Sequence, residues 1–208
     1  MASESKLVTD SETLREVVGK VFPIARDKVF PSLDKFSRQF LELSPFLCLG
    51  TISDRGFCDV SPRGDPPGFV KIIDDKTIAI PERPGNRLAD SMHNILSNRT
   101  VGIIAFVPGI SESLRFGGKA SVVRDEKLLA EMRVRGQLPK LAIKVDIEYV
   151  FFHCAKALIR SKLWDPDTQV DRDIFPPYGE IIQQQRRPDM AADEVERLVQ
   201  DDYKNSLY

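Results

Sequence analysis

Thr77-Ile78-Ala79-Ile80-Pro81-Glu82-Arg83-Pro84-Gly85-Asn86-Arg87 is a short apolar strand that runs into a Pro/Gly-rich, cation-bearing turn. Leu88 to Leu96 continue from it with helical composition. The first N–H groups of a helix have no internal partner, and the aligned peptide dipoles make that end electropositive. Arg83, Arg87 and the amide of Asn86 add donors at the same corner, and Gly85 lets the backbone approach a bound group closely. The corner therefore reads as a seat for a phosphate dianion. It also suits an ordinary surface turn, because many helices begin after Pro-Gly, so it is read together with its neighbours.

Upstream lies Ser61-Pro62-Arg63-Gly64-Asp65-Pro66-Pro67-Gly68-Phe69. Proline stiffens the backbone and removes donors, while glycine permits tight approach. The segment reads as a rigid loop that presents Arg63 and Asp65, or as a plain connection holding an Arg63–Asp65 ion pair. Downstream lies Phe152-His153-Cys154-Ala155-Lys156, continuing through Arg160-Ser161-Lys162-Leu163-Trp164-Asp165-Pro166. Trp164 suits either a wall beside a flat ligand or a hydrophobic cap over the core, and His153 either a functional group or a core histidine.

Between these clusters the apolar period changes along the chain. Leu14, Val17, Val18 and Val21 repeat at helical spacing. So do Leu33, Phe36, Phe40, Leu41 and Leu43 after Pro31-Ser32, and they predict a core-facing helix. From Pro45 the period is two. Strands are predicted over 46–52 and 57–61, joined by the turn at 53–56, and then over 69–73, 76–81, 99–107, 113–123 and 141–152. Gly117-Gly118 marks a bulge or a close approach. Helices are predicted over 87–97, 126–133 and 155–163, and a polar one over 191–203. Six or seven short antiparallel strands with few helices argue for a compact barrel. The chain divides into a helical extension (1–43), a barrel (44–165) and a proline-bearing tail (166–208) that wraps a neighbouring surface.

The 208 residues are 42% hydrophobic and 29% charged, as in a soluble globule, and the net charge of −1 leaves no footprint for nucleic acid. Any phosphate chemistry must be local. The three cysteines show no metal-type spacing, and two histidines are too few for a histidine-based metal site. Cys48 and Cys154 sit in apolar runs and read as small core residues. A polar start over Met1–Asp10 and the lack of any apolar run of about 20 residues point to a cytoplasmic protein with no membrane span.

Taken in order, the three clusters resemble the pyridoxamine 5′-phosphate oxidase-like, FMN-binding split-barrel family, and in particular a bacterial subgroup with these signatures. The likeness covers nearly the whole chain. It implies an α+β fold, mainly β, built on a six-stranded antiparallel split β-barrel, and a homodimer with two FMN molecules at its interface. By position, Arg63 corresponds to the strand arginine that reaches the FMN phosphate or ribityl chain. Gly64, Asp65 and Arg83 flank the same site. Ile80 and Pro81 fall where relatives lay backbone along the flavin, and Asn86 and Arg87 match the pair that grips the phosphate. Ser161, Lys162 and Trp164 match a late segment that approaches the flavin from the partner subunit.

The likeness further implies an FMN-dependent oxidoreductase acting on a small molecule, with a reduced nicotinamide as possible donor. Two alternatives stay open: a flavin binder without turnover of its own, or the same barrel holding another ligand or none. True pyridoxamine-phosphate oxidases grip their substrate with a C-terminal segment containing arginine and histidine. Residues 166–208 have no counterpart to it, which leaves the substrate open. No acid or base is dedicated to a proton step beyond the candidates His153 and Asp65, and Lys162 or Arg115 is the candidate cation beside the ring.

Overall fold

The computed structural model describes residues 7–25 and 27–208, so most of the polar start lies outside the described residues. Seven antiparallel strands form one sheet: β1 (Phe46–Ile52), β2 (Cys58–Gly64), β3 (Lys71–Ile72), β4 (Thr77–Pro81), β5 (Thr100–Phe106), β6 (Ser113–Val123) and β7 (Ala142–His153). Their spatial order is β2-β1-β5-β6-β7-β4-β3. The expected six strands thus become seven, because two residues of β3 pair with β4 at Lys71–Ala79 and Ile72–Ile78. The sheet is open, with β2 and β3 as its edges. Pro62 is compatible with β2 because that strand is an edge, where a missing N–H costs no ladder bond on the outer side.

The sheet curls around a main apolar core, with a smaller cluster of Ala79, Leu129, Met132 and Ala142 beside α4. Leu47 and Leu49 of β1, Ile78 and Ile80 of β4, Leu114 and Phe116 of β6, and Ile143 and Val145 of β7 are fully buried in the main core. At Gly117/Gly118 the β6–β7 register shifts: Gly117 opposes Tyr149 and Gly118 opposes Ile147, so Glu148 is skipped. The inward parity of β7 therefore changes from Ile143, Val145 and Ile147 to Val150, all buried. Only glycine fits at 118, where a Cβ would lie 2.0 Å from the Asp146 carbonyl oxygen.

Among the described residues, seven α-helices accompany the sheet. In α2 (Lys35–Leu43) the Asp34 carboxylate accepts from Ser37 N–H, and Ser37 Oγ accepts in turn from Asp34 N–H, a reciprocal cap. This helix buries Phe40 and Leu41, with Leu33 just before it, whereas Phe36 and Leu43 of the predicted core face are exposed. In α1 (Ser11–Val18) no residue is buried, so Leu14, Val17 and Val18 do not reach this core. Cys154, read from sequence as a core residue, is also exposed, and Cys48 is partly exposed.

The helix α3 (Asp90–Ser97) begins three residues later than predicted, because Arg87 and Ala89 adopt left-handed backbone conformations at φ 61° and 59°. Both α4 (Glu126–Glu131) and α5 (Lys156–Ser161) are shorter than predicted. The tail holds α6 (Tyr178–Arg186), missed in the sequence, and α7 (Ala192–Asn205). These two pack as a hairpin in which Gly179 N–H donates to Glu196 Oε2 at 2.6 Å. Among the described residues no helix is long and apolar enough to cross a membrane.

Candidate functional site

The site is built where the two ends of the open sheet approach each other. Arg63 lies within β2 opposite Leu47, so it belongs to a strand, as the family resemblance implies, and not to the loop that the prolines and glycines around it predict. Period two places Asp59, Ser61 and Arg63 on the more sheltered face of β2. Across the seam, β4 ends at Pro81 and delivers Glu82 and Arg83.

Two ion pairs cross the seam in reciprocal fashion. Arg63 Nη1 pairs with Glu82 Oε2, and Arg83 Nε donates to Asp65 Oδ2 at 2.6 Å. The Arg63–Asp65 pair considered from sequence does not form; each residue finds its partner on the other segment. The Asp65 side chain is only 1% exposed. Its second oxygen accepts from the Tyr208 hydroxyl at 2.8 Å, so a buried carboxylate is doubly satisfied. This makes Asp65 a structural anchor, which removes it as a free proton acceptor. Arg83 also donates to the Met132 carbonyl at 2.7 Å, at the end of α4. The Tyr208 ring lies 5.7 Å from the Arg83 guanidinium and 5.3 Å from that of Arg135. Hydrogen bonding to Asp65, burial and the charge of Asp65 together raise the Tyr208 phenol above its ordinary value, keeping it a donor.

The Glu82–Ala89 loop separates two clefts. One, of about 500 Å³, is lined by Ser61, Arg63, Pro81, Asn86 and the first turn of α3 at Asp90 and Ser91, with Gly64 at its edge. The other, of about 460 Å³, is lined by Arg87, Met92, Leu138, Lys140 and Tyr208. Glu82 to Asn86 and Ala89 form the wall common to both. Arg63 and Arg87 therefore line adjoining clefts on either side of one loop.

No side chain caps α3. Asn86 Oδ1 accepts from Leu88 N–H at 3.0 Å, which leaves the Asn86 amide donors unused by that turn. The helix is pinned to the sheet by Ser61 Oγ and Ser91 Oγ at 2.9 Å and by Asn94 Nδ2 donating to Thr51 Oγ1 at 3.0 Å. Arg63 Nε is buried and, among the described residues, has no hydrogen-bond partner.

The remaining predicted residues lie elsewhere. Ile80 is fully buried in the core, paired with Ile143, and lines neither cleft. Ser161 Oγ donates to Leu158 O at 3.1 Å, and Lys162 ends α5 in the left-handed region at φ 52°. Trp164 Nε1 donates to the Ile110 carbonyl at 2.9 Å, fixing this segment to the β5–β6 connection. None of these three residues lines either cleft. Arg115 stands 5.1 Å from the Phe151 ring on β7, with Lys28 4.7 Å from the same ring. His153 Nδ1 is buried without a described partner, and burial, then Lys28 and Arg115, lowers its pKa.

Sequence reasoning missed Glu82, Tyr208 and Arg135 as site residues. Glu82 sat inside the quoted turn, but nothing in the chain signals that a carboxylate there faces Arg63. Tyr208 follows a polar helix, and its role depends entirely on where that helix returns.

Solved structures similar to this chain share little sequence with it. HupZ from Group A Streptococcus is 17% identical over 58% of this chain and 93% of its own, with a TM-score of 0.48. The FAD binding protein from Mycobacterium smegmatis is 20% identical over 60% of this chain and 97% of its own, with a TM-score of 0.40. General Stress Protein 26 from Bacillus anthracis is 13% identical over 55% and 88%, with a TM-score of 0.42. A comparison with curated proteins gives no match. A family model described as Pyridoxamine 5′-phosphate oxidase matches residues 33–154, more than half of the chain. That span takes in every strand of the sheet, both seam-crossing ion pairs and the Arg83–Arg87 corner, and on it the chain belongs to the pyridoxamine 5′-phosphate oxidase family.

Proposed function

We propose that the protein binds flavin mononucleotide at this seam, as a homodimer, and works as an FMN-dependent oxidoreductase on a small molecule. The observation that carries the reading is Arg63. Its Nε is a buried donor without a partner among the described residues, in a cleft that also holds Asn86 and the uncapped start of α3. An anionic oxygen is the natural acceptor for such a group. Arg63, Asn86 and the first amides of α3 would hold the phosphate, each well-formed charge-assisted bond contributing about 1.5–3 kcal/mol, and Arg87 would add its charge from the adjoining cleft. Pro81 and Gly64 would offer close backbone approach, and Asp65 would act through Arg83 by fixing the loop. Ser161, Lys162 and Trp164 would come from the second subunit. Bound flavin would supply reversible hydride or electron transfer. The protein's part is to anchor the phosphate, keep the seam dry and leave one side open to a donor such as a reduced nicotinamide.

Titration of apoprotein with FMN, followed by flavin fluorescence, tests the binding, and anaerobic addition of NADH or NADPH tests turnover. Saturable quenching and bleaching of the flavin band are the expected results. Protein that is colourless and takes up no added FMN would overturn the reading, and flavin that binds but is never reduced would limit it to a carrier or sensor.

A further inference from the structure

Among the described residues, one residue of the tail, Tyr208, is hydrogen-bonded to the sheet or its loops. Helices α6 and α7 satisfy each other through Gly179–Glu196 and through Gln183 Nε2, which donates to the Met190 carbonyl at 3.2 Å. Among the described residues, the Tyr208–Asp65 bond is the only hydrogen bond from residues 166–208 to the sheet or its loops. That one contact reaches the carboxylate that fixes Arg83, and the Tyr208 ring lies 5.7 Å from the Arg83 guanidinium and 5.3 Å from that of Arg135.

The loop so fixed is strained. Arg87 and Ala89 both sit in the left-handed region, which costs non-glycine residues about 1 kcal/mol or more each and persists only where the surroundings enforce it. Among the described residues, the side chains that tie the Glu82–Ala89 loop to the rest of the fold by ion pairs or hydrogen bonds are Glu82, to Arg63, and Arg83, to Asp65 and Met132 O. One of the two ties therefore ends on a buried carboxylate shared with Tyr208.

We infer that Tyr208 is a positioning residue of the mononucleotide seat. By donating to Asp65 it holds Arg83, and through Arg83 it holds the loop that presents Asn86, Arg87 and the start of α3. This rests on the flavin-phosphate reading above for its ligand, but not for its effect on the loop.

The test uses the full chain as wild type, Tyr208→Phe and Tyr208→Ala, with FMN and riboflavin titrations and amide hydrogen exchange in the flavin-free protein. Tyr208→Phe keeps the ring and removes one bond to a charged group, so FMN should bind about tenfold more weakly. Riboflavin, which lacks the phosphate, should bind almost as before. Amides of residues 82–92 should exchange faster while those of β5 and β6 stay protected and the melting temperature falls by only a few degrees. Tyr208→Ala should deepen each effect. Unchanged exchange over 82–92 in both variants would overturn the inference, as would an equal loss for FMN and riboflavin. If the wild type binds no FMN, the functional reading fails by itself, and the exchange measurement still decides the role of Tyr208.

Discussion

Arg63 and Glu82 form an ion pair across the open edge of the sheet, between segments that share no strand pairing. Both side chains are mostly buried, at 16% and 22% exposed. Glu82 thus occupies the position at the Arg63 guanidinium that a ligand phosphate would want. The pair serves the seam and, on the proposed reading, would compete with the ligand.

Glu82→Gln should therefore separate the two roles. Without the carboxylate, Arg63 is free to turn to phosphate, and FMN should bind several-fold more tightly. The flavin-free protein should lose about 1–3 kcal/mol of stability, because a sheltered guanidinium is left uncompensated. Arg63→Ala should do the reverse to the ligand, weakening FMN binding at least tenfold. Calorimetric titration and urea unfolding of the two variants check both signs, and parallel losses of affinity would show that Glu82 only supports the seam.

How much of this was written in the chain can be seen at the same residues. The strand β4, the Pro/Gly turn and the helix after it follow from local period and composition, and so do β6 with its bulge at Gly117-Gly118. Local rules fail where a long-range contact decides. Pro62, Gly64 and two further prolines around Arg63 predict a loop, and only the family resemblance puts it on a strand, yet β2 continues to Gly64 as an edge strand. The period predicts α3 three residues early because left-handed Arg87 and Ala89 are imposed by the fold and favoured by neither residue. The α1 stripe has helical period but no partner within this chain's core. Tyr208 meets Asp65 across 143 positions, a relationship that no spacing announces.

The bulge offers a test of the barrel itself. At Gly118 a Cβ would lie 2.0 Å from Asp146 O and 2.8 Å from Glu148 N, both backbone atoms of the paired strand. Gly118→Ala must break the local β6–β7 pairing or shift the register, at a cost of about 2–3 kcal/mol or more. A lowered urea midpoint with loss of protection at residues 146–148 is the expected result.

His153 gives the stability a pH dependence with a definite sign. Burial, assisted by Lys28 and Arg115, lowers its pKa below the ordinary imidazole value of 6.5. In the folded protein the neutral ring is favoured, so the unfolded chain binds the proton more readily. The contribution is intact above about pH 6.5 and is lost as the pH falls through the lower folded value. His153→Asn should flatten this part of the profile. Urea midpoints for both proteins from pH 7.5 down to 5.0 read it, and their difference removes the background from the carboxylates.

Trp164, the only tryptophan, is a reporter already in place. Its indole N–H is committed to the Ile110 carbonyl at 2.9 Å, and it lines neither cleft of its own subunit. It can sit beside a bound flavin only if a second subunit brings it there. FMN should then quench its emission in the dimer, while dilution below the dimer's dissociation range should abolish the quenching. Trp164→Phe should cost about 1 kcal/mol through the lost hydrogen bond. It should leave FMN affinity within a few-fold, because the phosphate seat is elsewhere, yet shift the visible flavin band if the indole stands against the ring. An unshifted band together with unquenched tryptophan in the concentrated complex would assign the late segment to packing on the β5–β6 connection alone.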